Sequence, residues 1–211
     1  MGKLMSLLAE GLGWVLDTIF KFTGSYGVSI ILSTIIVRLM LYPLTLSQNK
    51  NMVAMKKLQP EINEIQKKYK DDKDTQSQKM MELYQEHKIN PLSGCLPMII
   101  QLPILLAFFR VLRELEFSEA SNFLGFWNLS APDSTLIFPI LAAVTTYLQS
   151  KMISTDPSQK TMAMMMPIMI FVFSWKLPSG LVLYWIASNV FSIAQQYWIN
   201  KKYPIDQGGQ A

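Results

Sequence analysis

A positive charge stands inside an apolar run: Arg38 falls within residues 26–46, whose other members are almost all apolar or small. A membrane-crossing helix needs about 20 mostly apolar residues for a hydrocarbon core about 30 Å thick. At roughly 1.5 Å of rise per residue, Arg38 lies about 12 Å from the Leu46 end, close to mid-membrane. An arginine at that depth costs on the order of 2.5–3.5 kcal/mol and faces a counter-charge, a bundle interior or a water-filled cavity. The other candidate spans carry no Asp or Glu, which leaves water as the expected partner. The alternative is a side chain that snorkels to the nearer headgroups.

Four more stretches have spanning length or nearly so: 91–112, 134–153, 161–177 and 180–200. With 50% hydrophobic and 16% charged residues and a mean hydropathy of +0.22, the expected class is an all-α, polytopic membrane protein with five transmembrane helices. Pro97, Pro103, Pro139 and Pro167 interrupt these runs, which packed helices tolerate when neighbours satisfy the freed carbonyls. A lone cysteine, Cys95, and a lone histidine, His87, leave no intramolecular disulfide and no ligand set for two-His or Cys/His metal chemistry. No cofactor and no catalytic residue is expected. Residues 1–25 carry Leu4, Leu7, Leu8, Gly11, Leu12, Val15, Ile19 and Phe22 as a helical stripe. That pattern predicts an interfacial amphipathic helix; a secretory signal competes, but Glu10 and Asp17 break its apolar region.

Residues 47–90 form the largest polar segment. Met52, Met55, Leu58, Ile62, Ile65 and Tyr69, then Met80, Leu83 and Tyr84, recur at spacings of three and four on either side of Asp71-Asp72-Lys73-Asp74. The spacing predicts a helical hairpin with an acidic turn, against the alternative of a passive charged loop. Most lysines cluster here and with Lys151, Lys160, Lys201 and Lys202, while Lys3, Lys21, Arg110, Arg113 and Lys176 fall on the other side. The positive-inside rule puts the hairpin, the 154–160 loop and the 201–211 tail in the cytoplasm, and the N-terminus and the 113–133 loop outside.

Thr34 and Arg38 are four apart and share a helix face. Span 180–200 carries a polar stripe of Trp185, Ser188, Asn189, Ser192, Gln195 and Gln196, and span 134–153 offers Thr145, Thr146 and Gln149. These faces line one hydrated pocket or, alternatively, hydrogen-bond between helices. Methionines crowd span 161–177, among them Met165 and Met169, and Met98 lies among leucines such as Leu102 and Leu105. They read either as an adaptable apolar slide or as ordinary filler. Leu92-Ser93-Gly94-Cys95 resembles a lipobox without a signal peptide before it, and Met1-Gly2 with Ser6 is too short a pattern to assign a myristoyl group.

Taken together, several segments closely resemble the YidC/Oxa1/Alb3 family of membrane protein insertases. They are Ile35-Ile36-Val37-Arg38-Leu39 with Tyr42-Pro43-Leu44, the charged hairpin, Asn90-Pro91 with Gly94-Cys95-Leu96-Pro97 and Gln101-Leu102-Pro103, Tyr147-Leu148-Gln149, and Pro178-Ser179-Gly180-Leu181-Val182-Leu183-Tyr184-Trp185. The resemblance covers nearly the whole chain. It implies a non-enzymatic insertase and chaperone in a bacterial plasma membrane, with a hydrophilic groove open to cytoplasm and lipid. Arg38 matches the groove arginine, Thr34 the polar residue one turn before it, Gln149 the span-three glutamine and Trp185 an aromatic groove position; the polar stripe on span 180–200 adds Ser188, Asn189 and Ser192 to the expected groove. Substrates would leave along Met98, Leu102, Leu105, Met165 and Met169. Implied partners are nascent membrane proteins, membrane lipids, the ribosome, the signal recognition particle pathway and the Sec translocon; nothing implies DNA. A small transporter or anion channel using Arg38 as substrate site is the alternative, but the inverted repeats common in transporters are not visible.

Overall fold

The computed structural model describes residues 2–87, 96–114, 122–153 and 157–202. Cys95, the start of the 91–112 run and the tail beyond Lys202 lie outside the described residues, as does the side chain of Met98. The architecture is helical, as the composition required. In chain order come α1 (Gly2–Thr23), α2 (Tyr26–Met40), α3 (Tyr42–Lys57), α4 (Gln59–Lys68), α5 (Lys73–Glu86), α6 (Leu96–Glu114), α7 (Ile137–Ile153), α8 (Pro157–Ser174) and α9 (Ser179–Lys202). A small ribbon, β1 (Asn122–Phe123) and β2 (Trp127–Asn128), lies between α6 and α7.

The apolar run 26–46 is divided between two helices. Pro43 has no N–H and its ring crowds the carbonyl four residues back, so a continuous helix cannot pass it without distortion. The chain bends by 59° between α2 and α3, and Leu41 caps α2 by donating its N–H to the Val37 carbonyl at 3.1 Å. Among the described residues no single helix is both long and apolar enough to cross a membrane, whereas the bent pair 26–40 and 42–48 is. The other prolines differ in weight: Pro139 sits in the first turn of α7, where it costs little, while Pro103 and Pro167 lie inside α6 and α8. Pro157 is the first residue of α8, a position that suits its fixed φ, so the helix takes in 157–160, expected as loop.

One apolar core joins α1, α2, α6, α7 and α9, with Leu16, Ile30, Phe108, Leu129 and Ala142 fully buried in it. Helix α7 packs on both α8 and α9, and α9 packs on α2. Helix α1 is built into the bundle through Ala9, Leu12 and Leu16, against α2 and α6. Leu7, Leu8 and Phe22 of the expected stripe stay exposed, because the buried face lies one step round the helix. A second, smaller core of Met55, Leu58, Ile62, Leu83 and Tyr84 holds α4 and α5 together with the end of α3.

The ribbon between α6 and α7 fixes one end of the bundle. Its turn places Leu124 at φ 53° and Gly125 at φ 85°, the paired left-handed residues of a primed hairpin turn. Beyond it, Ser179 donates its backbone N–H (2.8 Å) and hydroxyl (2.7 Å) to the Ala131 carbonyl, and Gly180 donates its N–H to the Leu129 carbonyl at 2.9 Å. Loop carbonyls thus satisfy the first free N–H groups of α9.

Candidate functional site

Helix α9 distributes its polar residues over two faces, and each meets a different neighbour. Tyr184 and Ser188, one turn apart, face α2 and α6. Arg38 on α2 donates its Nε–H to the Ser188 hydroxyl at 3.0 Å and its Nη2 group to the Gln101 Oε1 of α6 at 3.1 Å, with a further contact from Nη2 to Ser188. The Gln101 amide donates in turn to the Tyr184 hydroxyl. That ring is buried and stacks on Phe108 with centroids 4.1 Å apart. Among the described residues no carboxylate comes within ion-pair distance of Arg38; the Lys79–Glu82 pair lies in α5. Nη1 also finds no protein acceptor among them. A guanidinium carries five N–H donors, so the half-buried Arg38 is held along one edge and keeps donors to offer.

The second face carries Trp185 and Asn189 towards α7. The Trp185 indole donates to the Thr146 hydroxyl at 3.0 Å. With its amide nitrogen turned to Gln149 Oε1 at 2.7 Å, Asn189 accepts from the Thr146 hydroxyl at 2.9 Å and from Trp185 Nε1 at 3.2 Å. That orientation satisfies both ends of the amide, as a buried polar network requires.

The residues singled out from the sequence therefore fall into distinct places. Arg38 meets Ser188; Trp185 and Gln149 each meet Asn189. Thr34 is buried one turn below Arg38, but its hydroxyl turns back to the Ile30 carbonyl at 2.6 Å. Ser192 likewise donates to the Ser188 carbonyl at 2.9 Å. On the apolar side Leu102, Met165 and Met169 are exposed, while Leu105 lines a cavity between helices. Thr146 belongs to the polar face expected on the 134–153 span, whereas Gln101 and Tyr184 are not among the residues expected in the groove. Gln101 had a usable signal, since it is the one amide in the apolar stretch from Leu96 to Phe109; Tyr184 had none, being one more aromatic in an apolar run.

Two orphans complete the polar inventory. The Ser33 hydroxyl and the Gln195 amide nitrogen are buried and have no hydrogen-bond partner among the described residues. Gln196 is also buried, as is Gln48 on α3; with Gln195, polar groups thus continue along α9 from Ser188 towards its C-terminal end, where the Gln196 amide donates to Asn200 at 2.9 Å.

Comparison with known proteins shows what the chain as a whole is similar to. Residues 18–207 match the family model described as 60Kd inner membrane protein. The chain is 45% identical over 204 residues to a membrane protein insertase YidC of Fusobacterium nucleatum, covering 96% of this chain and 99% of that protein. It is 43% identical to a YidC of Citrifermentans bemidjiense over 92% of this chain, but spans only 37% of that longer relative. Among solved structures, an active YidC insertase crystal structure with its first transmembrane domain resolved aligns at TM-score 0.77 and 36% identity, over 90% of this chain and 45% of that one.

Proposed function

The chain belongs to the YidC/Oxa1 family of membrane protein insertases, whose members act on nascent membrane proteins without enzymatic chemistry, and we propose that Arg38 and its surroundings form the groove through which it does so. The observation that supports this reading is a guanidinium set in an apolar bundle, anchored on one edge by Ser188 and Gln101 and without a carboxylate partner among the described residues. A structural arginine would be expected to consume its donors on a fixed acid. This one keeps attraction in reserve for an acid that arrives and leaves.

In this reading the chain spans the membrane five times, with residues 26–46 as the first, bent span, the 47–90 hairpin and the C-terminus in the cytoplasm, and α1 and the β1–β2 ribbon outside. The groove opens to the cytoplasm along the polar C-terminal half of α9. A nascent segment with a polar, acidic tail enters beside Arg38, which shortens the apolar distance that the tail has to cross. The membrane potential assists, at about 2.3 kcal/mol per acidic charge per 100 mV moving outward. The apolar segment then leaves for lipid past α6 and α8, along Met98, Leu102, Leu105, Met165 and Met169, driven by its own transfer out of water. The ribosome, the signal recognition particle pathway and the Sec translocon are the partners that would deliver such chains.

The test is reconstitution of the purified chain in vesicles with a single-spanning substrate whose translocated tail carries Asp and Glu. Insertion without ion flux is expected, and Arg38→Ala should slow it about tenfold for the acidic tail. Tenfold is about 1.4 kcal/mol, between the roughly 1 kcal/mol of a charge pair at 4 Å in water and the roughly 4 kcal/mol at an effective dielectric of 20. Arg38→Lys should keep most activity because it keeps the charge. A neutral tail should narrow the gap between wild type and Arg38→Ala. Ion flux without insertion would instead make the site a channel, and equal losses for acidic and neutral tails would remove the electrostatic step.

A further inference from the structure

Beside the polar network lies a cavity of about 230 Å³ bounded by α6, α7, α8 and α9, with Leu105, Ala142, Ile170, Leu177, Leu181 and Val182 in its walls. Its lining is apolar. Ser174, the one hydroxyl there, donates to the Phe171 carbonyl at 3.1 Å and so turns no free polar group inward. Water enters a cavity when it finds polar partners, and apolar cavities stay dry or bind hydrocarbon. At the edge of a membrane bundle the surrounding solvent is itself hydrocarbon. Phe173 on the lining is 61% exposed, so the cavity meets the outer surface of the bundle.

The chain beside the cavity supplies the other half of a site. Ser174 and Leu177 both line it, and between them come Trp175, 55% exposed, and Lys176, also exposed. The turn is ordered by bonds from the Trp175, Lys176 and Leu177 N–H groups to the Phe171, Phe173 and Ser174 carbonyls, at 3.2, 3.1 and 3.3 Å. Among the described residues no carboxylate pairs with Lys176. An indole and an ammonium at the end of an apolar helix are the pair that sits at headgroup level. We propose that this is a phospholipid site: one acyl chain occupies the cavity and the phosphate rests on Lys176, in the outer leaflet under the topology given above. The size argues for a chain rather than a helix, since a transmembrane segment is about 10 Å across, too broad for a gap among four packed helices. The inference uses the membrane placement of α8 and α9 and does not depend on insertase action.

The experiment uses the full chain in phosphatidylcholine vesicles containing a phosphatidylglycerol probe with a photoactivatable diazirine on its acyl chain, with adducts mapped by mass spectrometry. Adducts should concentrate on Leu177, Leu181 and Val182, above those on the exposed Met164 and Ile168 of α8. Lys176→Glu, a surface change that leaves the core untouched, should lower the cavity adducts at least about fivefold, since loss of one basic side chain at an anionic surface is worth roughly that and the new carboxylate repels the phosphate besides. Leu181→Phe should lower them by filling the space. Adducts spread evenly over α8, or unchanged in Lys176→Glu, would overturn the proposal. So would a nascent substrate that displaces the lipid label and takes the adducts itself, which would assign the cavity to substrate.

Discussion

Asp133 accepts from the Thr135 N–H at 2.8 Å, the Thr135 hydroxyl at 2.6 Å and the Phe138 N–H at 2.8 Å, and so ties the loop to the first turn of α7. Burial alone would raise its carboxyl, but the hydrogen bonds from Thr135, Phe138 and Trp127 outweigh it and hold the group below its ordinary value. A depressed folded-state value gives stability that is complete above the unfolded carboxylate range and is lost as the pH falls through the folded value. Asp133→Asn should therefore cost about 1–2 kcal/mol near neutrality. In thermal melts the gap to wild type should close as the pH falls from about 5 to below 3; a constant gap would mean that packing, not charge, sets the cost. Gly27 poses a steric question. A Cβ there would lie 2.0 Å from the Phe123 ring, so Gly27→Ala must displace the ribbon or the helix. Gly27→Ala should lower the melting temperature by several degrees, and Phe123→Ala should make the same substitution nearly silent, a coupling that separates contact from helix propensity.

The α4–α5 hairpin is held by the small core centred on Ile62, which is 2% exposed, and its main packing is of the two helices on each other and on the end of α3. A unit with so few buried contacts opens at lower free energy than the bundle. Amide exchange in 59–86 should outpace that in α9, and Ile62→Ala, costing about 2–4 kcal/mol within the hairpin, should speed exchange there while leaving α9 protected. Equal protection of hairpin and α9 would contradict a mobile element. The residues of this small core were legible in the sequence because their spacing of three and four is local information. The same holds for Arg38, which any hydropathy argument finds. What local spacing could not show is which surface each face meets. The polar stripe on α9 reads as one band, yet Ser188 turns to α2 and Asn189, its neighbour, to α7, because 100° of helical rotation separates adjacent residues. Gln101 became Arg38's partner through the packing of α6, and the break at Leu41 followed from Pro43, a signal present in the chain but overridden by the length of the apolar run.

At the scale of the whole molecule, the two ends of the bundle are built differently. At the N-terminal end of α9, the Leu129 and Ala131 carbonyls bind Gly180 and Ser179, and Leu129 is fully buried. At the opposite end, Gln48, Gln195 and Gln196 are polar groups in the packing, and the Gln195 amide nitrogen has no partner among the described residues. An unmet buried amide costs about 1–3 kcal/mol unless water reaches it, so this asymmetry favours hydration from the C-terminal end and a dry seal at the other. Cysteines at Gln149 and Ser192, both half-buried, with Cys95 replaced by serine, test it in sealed vesicles of known orientation. A membrane-impermeant thiol reagent should label both positions from the side that carries the C-terminus of α9 and neither from the side of the β1–β2 ribbon. Leu129→Ala, which hollows the seal without touching Arg38, should add labelling from the ribbon side. Labelling of the unaltered bundle from both sides would describe a continuous pore and favour a channel. Protection from both sides would leave Arg38 in a dry bundle, where its uncommitted donors would have no function in insertion.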